Sequence, residues 1–337
     1  MSLLKKFSII LPVRNGGELV KRCIQSILSQ TNQNFDLLIL DNCSIDGTSE
    51  WLQSLDNEKI KIFPSTRPLT IEENWSRIKD IPKNEFITLI GHDDLLHADY
   101  LEEMSNLIEF YPNASLYQTH FKFINAEGAL VKLCRRMLKK YIQPAYLEAI
   151  LEDKLDSTGT GYMMRAADYD QLSGIPPYPN LLFADHALWI QLTGLSFMAV
   201  SEKECFSYRL NQSTSKLSGA SKYIDAFYMF LDFLSILEKK NEHLKEIIRE
   251  HVPGYIQFYC TSLTHRLLKT PVNQRDGKTV ASFILNCKQK ADILSPGNHF
   301  QPLDQFSIRL SKLIDNNLFL QHCYLSFKKI YKKSFYP

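Results

Sequence analysis

Residues 85–96 read EFITLIGHDDLL. The apolar run 86–90 is short and rich in β-formers, the pattern of a strand buried on both faces. It stops at Gly91-His92, and two adjacent aspartates, Asp93 and Asp94, follow. Two carboxylates a few ångströms apart repel by roughly 4 kcal/mol at an effective dielectric of about 20. A chain accepts that in a solvated turn, at a helix start or around a divalent cation, and the pair alone leaves all three open.

Three further strands precede this one, alternating with helices. Residues 7–11 form a strand that ends at Pro12-Val13-Arg14-Asn15-Gly16-Gly17. A helix over 18–30 follows, with Val20, Cys23, Ile24, Ile27 and Leu28 on one face. Residues 35–40 are a second strand, ending at Asp41-Asn42-Cys43-Ser44-Ile45-Asp46-Gly47. A short helix at Trp51, a strand over 59–63 and a helix over 71–81 lead into 86–90, and another helix runs from about 97 to Pro112. Such βα alternation predicts a mostly parallel sheet flanked by helices. Ligands in such sheets bind at the carboxyl ends of the strands. Three strands here end in polar clusters, and the topology brings the clusters to one rim.

Downstream, residues 115–124 (SLYQTHFKFI) read as a strand, 144–151 as a helix, and Ser157 to Gly161 as a small, flexible segment. Residues 174–180 (GIPPYPN) are a rigid loop before a helix that opens at Asp185, where an aspartate is also an ordinary N-cap. Short strands at 197–200 and 205–209 and a polar loop at 211–215 close an α/β domain over 1–215, with halves 1–112 and 113–215. Residues 216–337 read as helical, with breaks near Pro253, Pro271 and Pro296. The last helix sets Lys328, Lys329, Lys332 and Lys333 among aromatics, so it is a candidate for peripheral contact with an anionic membrane or, through its apolar side, for pairing in a homodimer.

The totals limit the function. A net charge of +2 argues against a dedicated nucleic-acid binder. Seven cysteines without a Cys-x-x-Cys pair read as reduced thiols in a cytoplasmic protein. The basic-apolar start is cut by Pro12 and Arg14, which suits a buried strand better than a leader, and no run approaches a membrane span. There is no Gly-x-Gly-x-x-Gly after the first strand, no P-loop and no Gly-x-Ser-x-Gly elbow. Paired oxygen ligands at a strand end suit a hard cation, Mg²⁺ or Mn²⁺, completed by phosphate oxygens.

Pro12-Val13-Arg14-Asn15, ILDNCSIDGT at 39–48 and LIGHDDLL at 89–96 resemble, in order and spacing, the family 2 glycosyltransferases of GT-A fold. The resemblance covers residues 6–215 and implies inverting transfer of a sugar from a nucleoside diphosphate, UDP or dTDP, to a hydroxyl of a glycan or lipid-linked acceptor. It places Pro12, Arg14 and Asn15 beside the nucleotide and Asp41 on the base, with Ser44 and Asp46 shaping that turn. It assigns the metal to Asp93 and Asp94, next to His92. FADHALW implies Asp185 as general base, and SYRLNQS implies Tyr208 and Arg209 in a loop over the donor. Asn74 lies in the segment that carries an arginine in the family, and Arg67 is the substitute for that arginine. Gly91 stands where the family commonly has Asp, and Asn211 where it has His. A nucleotidyltransferase and a non-catalytic nucleotide-sugar-binding module are the alternatives.

Overall fold

All seven residues of β1 (Phe7–Val13) and of β2 (Phe35–Asp41) are buried, as are the four of β4 (Phe86–Leu89). Strands without polar alternation need cover on both faces. The computed structural model supplies it by burying all three inside one mixed sheet. It describes residues 6–210 and 218–335, the side chains of 329–335 excepted, so the loop expected at 211–215 and the side chains of Lys329, Lys332 and Lys333 lie outside the described residues. Two compact units divide the chain, Met1–Ser213 and Thr214–Pro337.

In the first unit the strand order is β3-β2-β1-β4-β9-β6-β10-β5, with β7 on β6 and β8 on β10. β1 runs parallel to β2, from Phe7 opposite Phe35 to Val13 opposite Asp41, and parallel to β4, with Ile10 opposite Leu89. β3 (Ile60–Ile62) adds to β2 in the same sense. This register brings the chain after Val13, Asp41 and Leu89 to one edge, as the βα alternation predicts. Helices α1 (Gly17–Leu28), α2 (Thr48–Gln53) and α3 (Ile71–Ser76) connect these strands, and α4 (Tyr100–Phe110) follows β4 and the two-residue β5 (Leu95–Leu96).

Beyond β4 the sheet is mixed. β9 (Met163–Arg165) lies antiparallel between β4 and β6 (Leu116–Ile124), and β6 is parallel to β10 (Phe197–Arg209). β5, β7 (Leu130–Leu133) and β8 (Lys140–Ile142) are antiparallel additions. β9 has three residues and follows a glycine-rich run, so its sequence carries no strand signature, although it joins the two halves of the sheet. The segments expected at 197–200 and 205–209 are one strand, because bulges near Glu204 carry the ladder across its polar middle. Helices α5 (Gln143–Leu151), α6 (Ala166–Gln171) and α7 (Ala184–Leu195) complete the unit.

The second unit holds α8 (Ala220–Leu237), α9 (Glu242–Lys269), α10 (Val280–Leu294), α11 (Phe306–Asp315) and α12 (Leu318–Phe335). Phe227, Phe230, Leu231, Leu234 and Leu237 of α8 are fully buried. The break expected at Pro253 does not occur. α9 runs through it, held by buried Ile248, Val252 and Ile256 on either side, so packing outweighs the lost N–H bond. Breaks do fall at Pro271, where α9 has ended, and before Pro296.

Candidate active site

The loops after β1 and β2 are tied to each other. Asn15 N–H donates to Ser44 Oγ at 2.9 Å, and Ile45 N–H donates to Asn15 Oδ1 at 2.9 Å. Ser44 in turn donates its hydroxyl to Asp41 Oδ1 at 2.6 Å. Asn15 and Cys43 both take left-handed backbone, with φ of 52° and 54°. Asp46 accepts from Gly17 N–H at 3.2 Å and from Thr48 N–H at 3.1 Å, and bonding to Thr48 holds its carboxyl below the usual range. Pro12 and Asp41 are buried at the bottom of this rim, and Arg14 is exposed at its top. Asp46 therefore braces the turn, and Asp41 is the acidic floor.

Asn74 and Arg67 lie on the far wall of the same rim. Asn74 is buried and donates Nδ2–H to Leu40 O at 3.3 Å. Arg67 is exposed and paired with Glu73 at 2.9 Å. The better placed cation is Arg77, which the sequence reading passed over. Its guanidinium donates to Asn74 Oδ1 at 2.8 Å and Phe63 O at 2.6 Å and reaches Asp41 O at 3.5 Å. Burial lowers its pKa and Asp41 opposes the shift. The available signal was spacing, since Arg77 is one helical turn beyond Asn74.

The aspartates of the opening stretch have different surroundings. Asp94 is buried, and its Oδ2 accepts from the Thr160 hydroxyl at 2.6 Å while Oδ1 accepts from Arg209 N–H at 2.9 Å. Burial, with Asp93 beside it, pushes its carboxyl up to about 8 against those two bonds. Asp93 is half-buried. A Cβ on Gly91 would lie 2.9 Å from Asp94 Oδ2 and 3.1 Å from Asp93 Oδ1. Both carboxylates converge over that glycine, so a leading aspartate there would collide with Asp94. His92 flanks the turn, half-buried. Beneath it, Cys23 of α1 donates its thiol to Gly91 O at 3.5 Å, and burial followed by Asp94 and Asp93 raises the thiol.

Asp185 approaches the pair through Gly159-Thr160. A Cβ on Gly159 would lie 3.7 Å from Asp185 Oδ2, and the next residue is the Thr160 that holds Asp94. This segment, expected to be flexible, is packed: Thr158 and Thr160 are buried and Thr158 O accepts the Trp189 indole N–H at 3.0 Å. Asp185 does not cap α7. The N-cap is Phe183, in left-handed backbone with φ of 62°, and it makes no side-chain capping bond. Burial, then Asp94, Asp93 and Asp185, raise the Tyr208 phenol. Arg209 is buried, donating Nε–H to Asp93 O at 2.7 Å and Nη1–H to Asn125 O and Ala126 O at 2.8 and 2.9 Å. Its guanidinium clamps main chain under the site.

A mixed sheet of this order, with polar loops gathered on one rim and Asp93 and Asp94 beyond its fourth strand, has the architecture of a GT-A-type fold. The S. aureus TarS 1–349 crystal structure in complex with UDP-GlcNAc superposes with a TM-score of 0.66 at 14% identity, over 95% of this chain and 91% of that one. Residues 8–172 match the family model "Glycosyl transferase family 2", so the first unit carries a domain of that family. Among curated relatives, the putative teichuronic acid biosynthesis glycosyltransferase TuaG of Bacillus subtilis is 26% identical over 64% of this chain and 84% of its own length. The UDP-Glc:alpha-D-GlcNAc-diphosphoundecaprenol beta-1,3-glucosyltransferase WfgD of Escherichia coli is 23% identical over 61% and 78%. The match to Streptococcus pneumoniae GlyG spans 41% of that relative, at 21% identity.

Proposed function

We propose that this glycosyltransferase moves a sugar from a UDP-linked donor to a hydroxyl of a glycan or lipid-linked acceptor, with inversion and Asp185 as general base. The observation that supports the reading is the Gly159-Thr160 link: a Cβ on Gly159 would lie 3.7 Å from Asp185 Oδ2, and Thr160 donates to Asp94 Oδ2 at 2.6 Å. UDP as carrier follows the donor named for WfgD and the UDP-GlcNAc bound in the TarS complex. Asp41 accepts the imide N–H of uracil, and Pro12, Arg14, Asn15 and Arg77 frame the base and ribose.

The residues present fit one divalent cation, Mn²⁺ or Mg²⁺. Asp93 is the carboxylate that would hold it, because Asp94 has given both oxygens to Thr160 and Arg209. Such an ion, when bound, would supply charge stabilisation to the departing diphosphate. Asp185 accepts the proton of the acceptor hydroxyl as its oxygen bonds to the anomeric carbon, and the carbon–oxygen bond to UDP breaks on the opposite face.

Asp185→Asn is expected to keep UDP affinity and lose about 10²–10⁴-fold in transfer, the usual worth of a general base. UDP release from UDP-sugars with Mn²⁺ measures it, and the anomeric configuration of the product by NMR tests inversion. Undiminished turnover in Asp185→Asn would sink the base assignment. UDP binding without turnover on any donor would favour a binding module.

A further inference from the structure

The net charge of +2 conceals a division. Residues 214–337 carry 18 Lys and Arg against 10 Asp and Glu, a net +8, whereas residues 1–213 carry 21 against 27, a net −6. Such asymmetry marks a surface for an anionic partner. Among the described residues, no helix is long and apolar enough to cross a membrane.

α11 is apolar on the side that its own unit does not use. Ile308, Ser311 and the Asp315 side chain face inward, Asp315 pairing with buried Arg275. Phe306, Leu310 and Leu313, spaced i, i+4 and i+7, point outward at 71%, 42% and 58% exposure. Leu318 and Phe319 at the start of α12 are 80% and 74% exposed. Arg309 is exposed beside this face, Lys312 is half-buried further round the helix, and no acidic residue follows Asp315 in the sequence.

We propose that the second unit docks on an anionic lipid bilayer through the outward face of α11 and the start of α12. Phe306, Leu310, Leu313, Leu318 and Phe319 would enter the headgroup–acyl boundary, with Arg309 and Lys312 on lipid phosphates. Apolar burial and attraction to anionic lipid reinforce each other in interfacial helices, and long basic side chains cover the edge with their stems. A second copy of the chain is the competing occupant, but it would add a further unit of net +8, whereas an anionic surface complements that charge. The proposal does not depend on which sugar or acceptor is used.

Co-sedimentation of the full chain with phosphatidylcholine vesicles, with and without about 30% phosphatidylglycerol, tests it. The expected result is pelleting with the anionic vesicles that weakens with salt. Leu310→Glu/Leu313→Glu is expected to lower the partition coefficient by about tenfold or more, and Arg309→Glu/Lys312→Glu by a similar factor. Leu310, Leu313 and Arg309 are exposed and Lys312 is only half-buried, so the melting temperature should hold. Leu285→Glu/Ile293→Glu on α10, equally exposed at 56% and 60%, should bind as wild type does. No pelleting with anionic vesicles overturns the proposal, and equal loss in the α10 control overturns its assignment to α11. A dimer that dissociates in Leu310→Glu/Leu313→Glu, without vesicle binding, makes the face a contact between copies.

Discussion

Asp93 and Asp94 are neighbours with opposite tasks. Asp94 is committed to the fold, because removing its carboxyl strands the Thr160 hydroxyl and the Arg209 N–H in a buried place. Each such group costs about 1–3 kcal/mol. Asp94→Ala is therefore expected to destabilise the first unit by about 2–5 kcal/mol in urea unfolding. Asp93→Asn should stay within about 1 kcal/mol of wild type and instead lose the Mn²⁺-dependent part of UDP affinity, read by calorimetry. Equal stability loss in the two variants would contradict this division of labour. Nothing in DD as a dipeptide separates them. The difference comes from Thr160, 66 residues away, and Arg209, 115 residues away.

At the scale of the element, the loop before α7 holds unusual backbone. Asn180, Leu181 and Phe183 all have positive φ, 53°, 56° and 62°. Leucine and phenylalanine pay about 1–2 kcal/mol each there, so surrounding contacts must impose it. One of them is long range: Asn180 N–H donates to Glu72 Oε1 of α3 at 2.5 Å. Leu182 and Phe183 are buried beside it. Through this strut the helix that carries Asn74 fixes where α7 starts, and so where Asp185 lies. Glu72→Ala is expected to lower kcat by about tenfold or more with donor KM little changed, since a small misplacement of a catalytic group is costly. Glu72→Gln, which keeps the acceptor oxygen, should restore most of it. Steady-state kinetics on the donor decide, and a rise in donor KM alone would move Glu72 into donor binding.

At the scale of the whole molecule, two cores are held by different means. The first rests on the sheet, and the second on helix packing with one buried ion pair, Arg275 with Asp315 at 2.5 Å. Asp315 also accepts from Val280 N–H at 2.7 Å. Deleting one partner of such a pair leaves an uncompensated charge and costs about 3–5 kcal/mol. Asp315→Ala should therefore lower the urea midpoint seen by far-UV circular dichroism, to which the helices contribute heavily. Tryptophan emission reports the first unit alone, because Trp51, Trp75 and Trp189 all lie there. An unchanged midpoint in circular dichroism would contradict the assigned role of the pair.

The sequence by itself pointed to the parallel strands, because 7–11, 35–40 and 86–90 are short, mostly apolar runs whose polar ends must share a rim once the crossovers are helical. It also marked Asp41, Asp93, Asp185 and Tyr208 as chemistry at the ends of elements. Only the tertiary structure decided that β9 knits the sheet, that Arg77 rather than Arg67 stands by Asp41, and that Arg209 serves main-chain carbonyls. Each of those depends on contacts between residues far apart in the chain, and local periodicity carries no record of them. The pair in DD is the plainest case. Sequence placed both carboxylates at the rim, and burial chose which of them belongs to the fold.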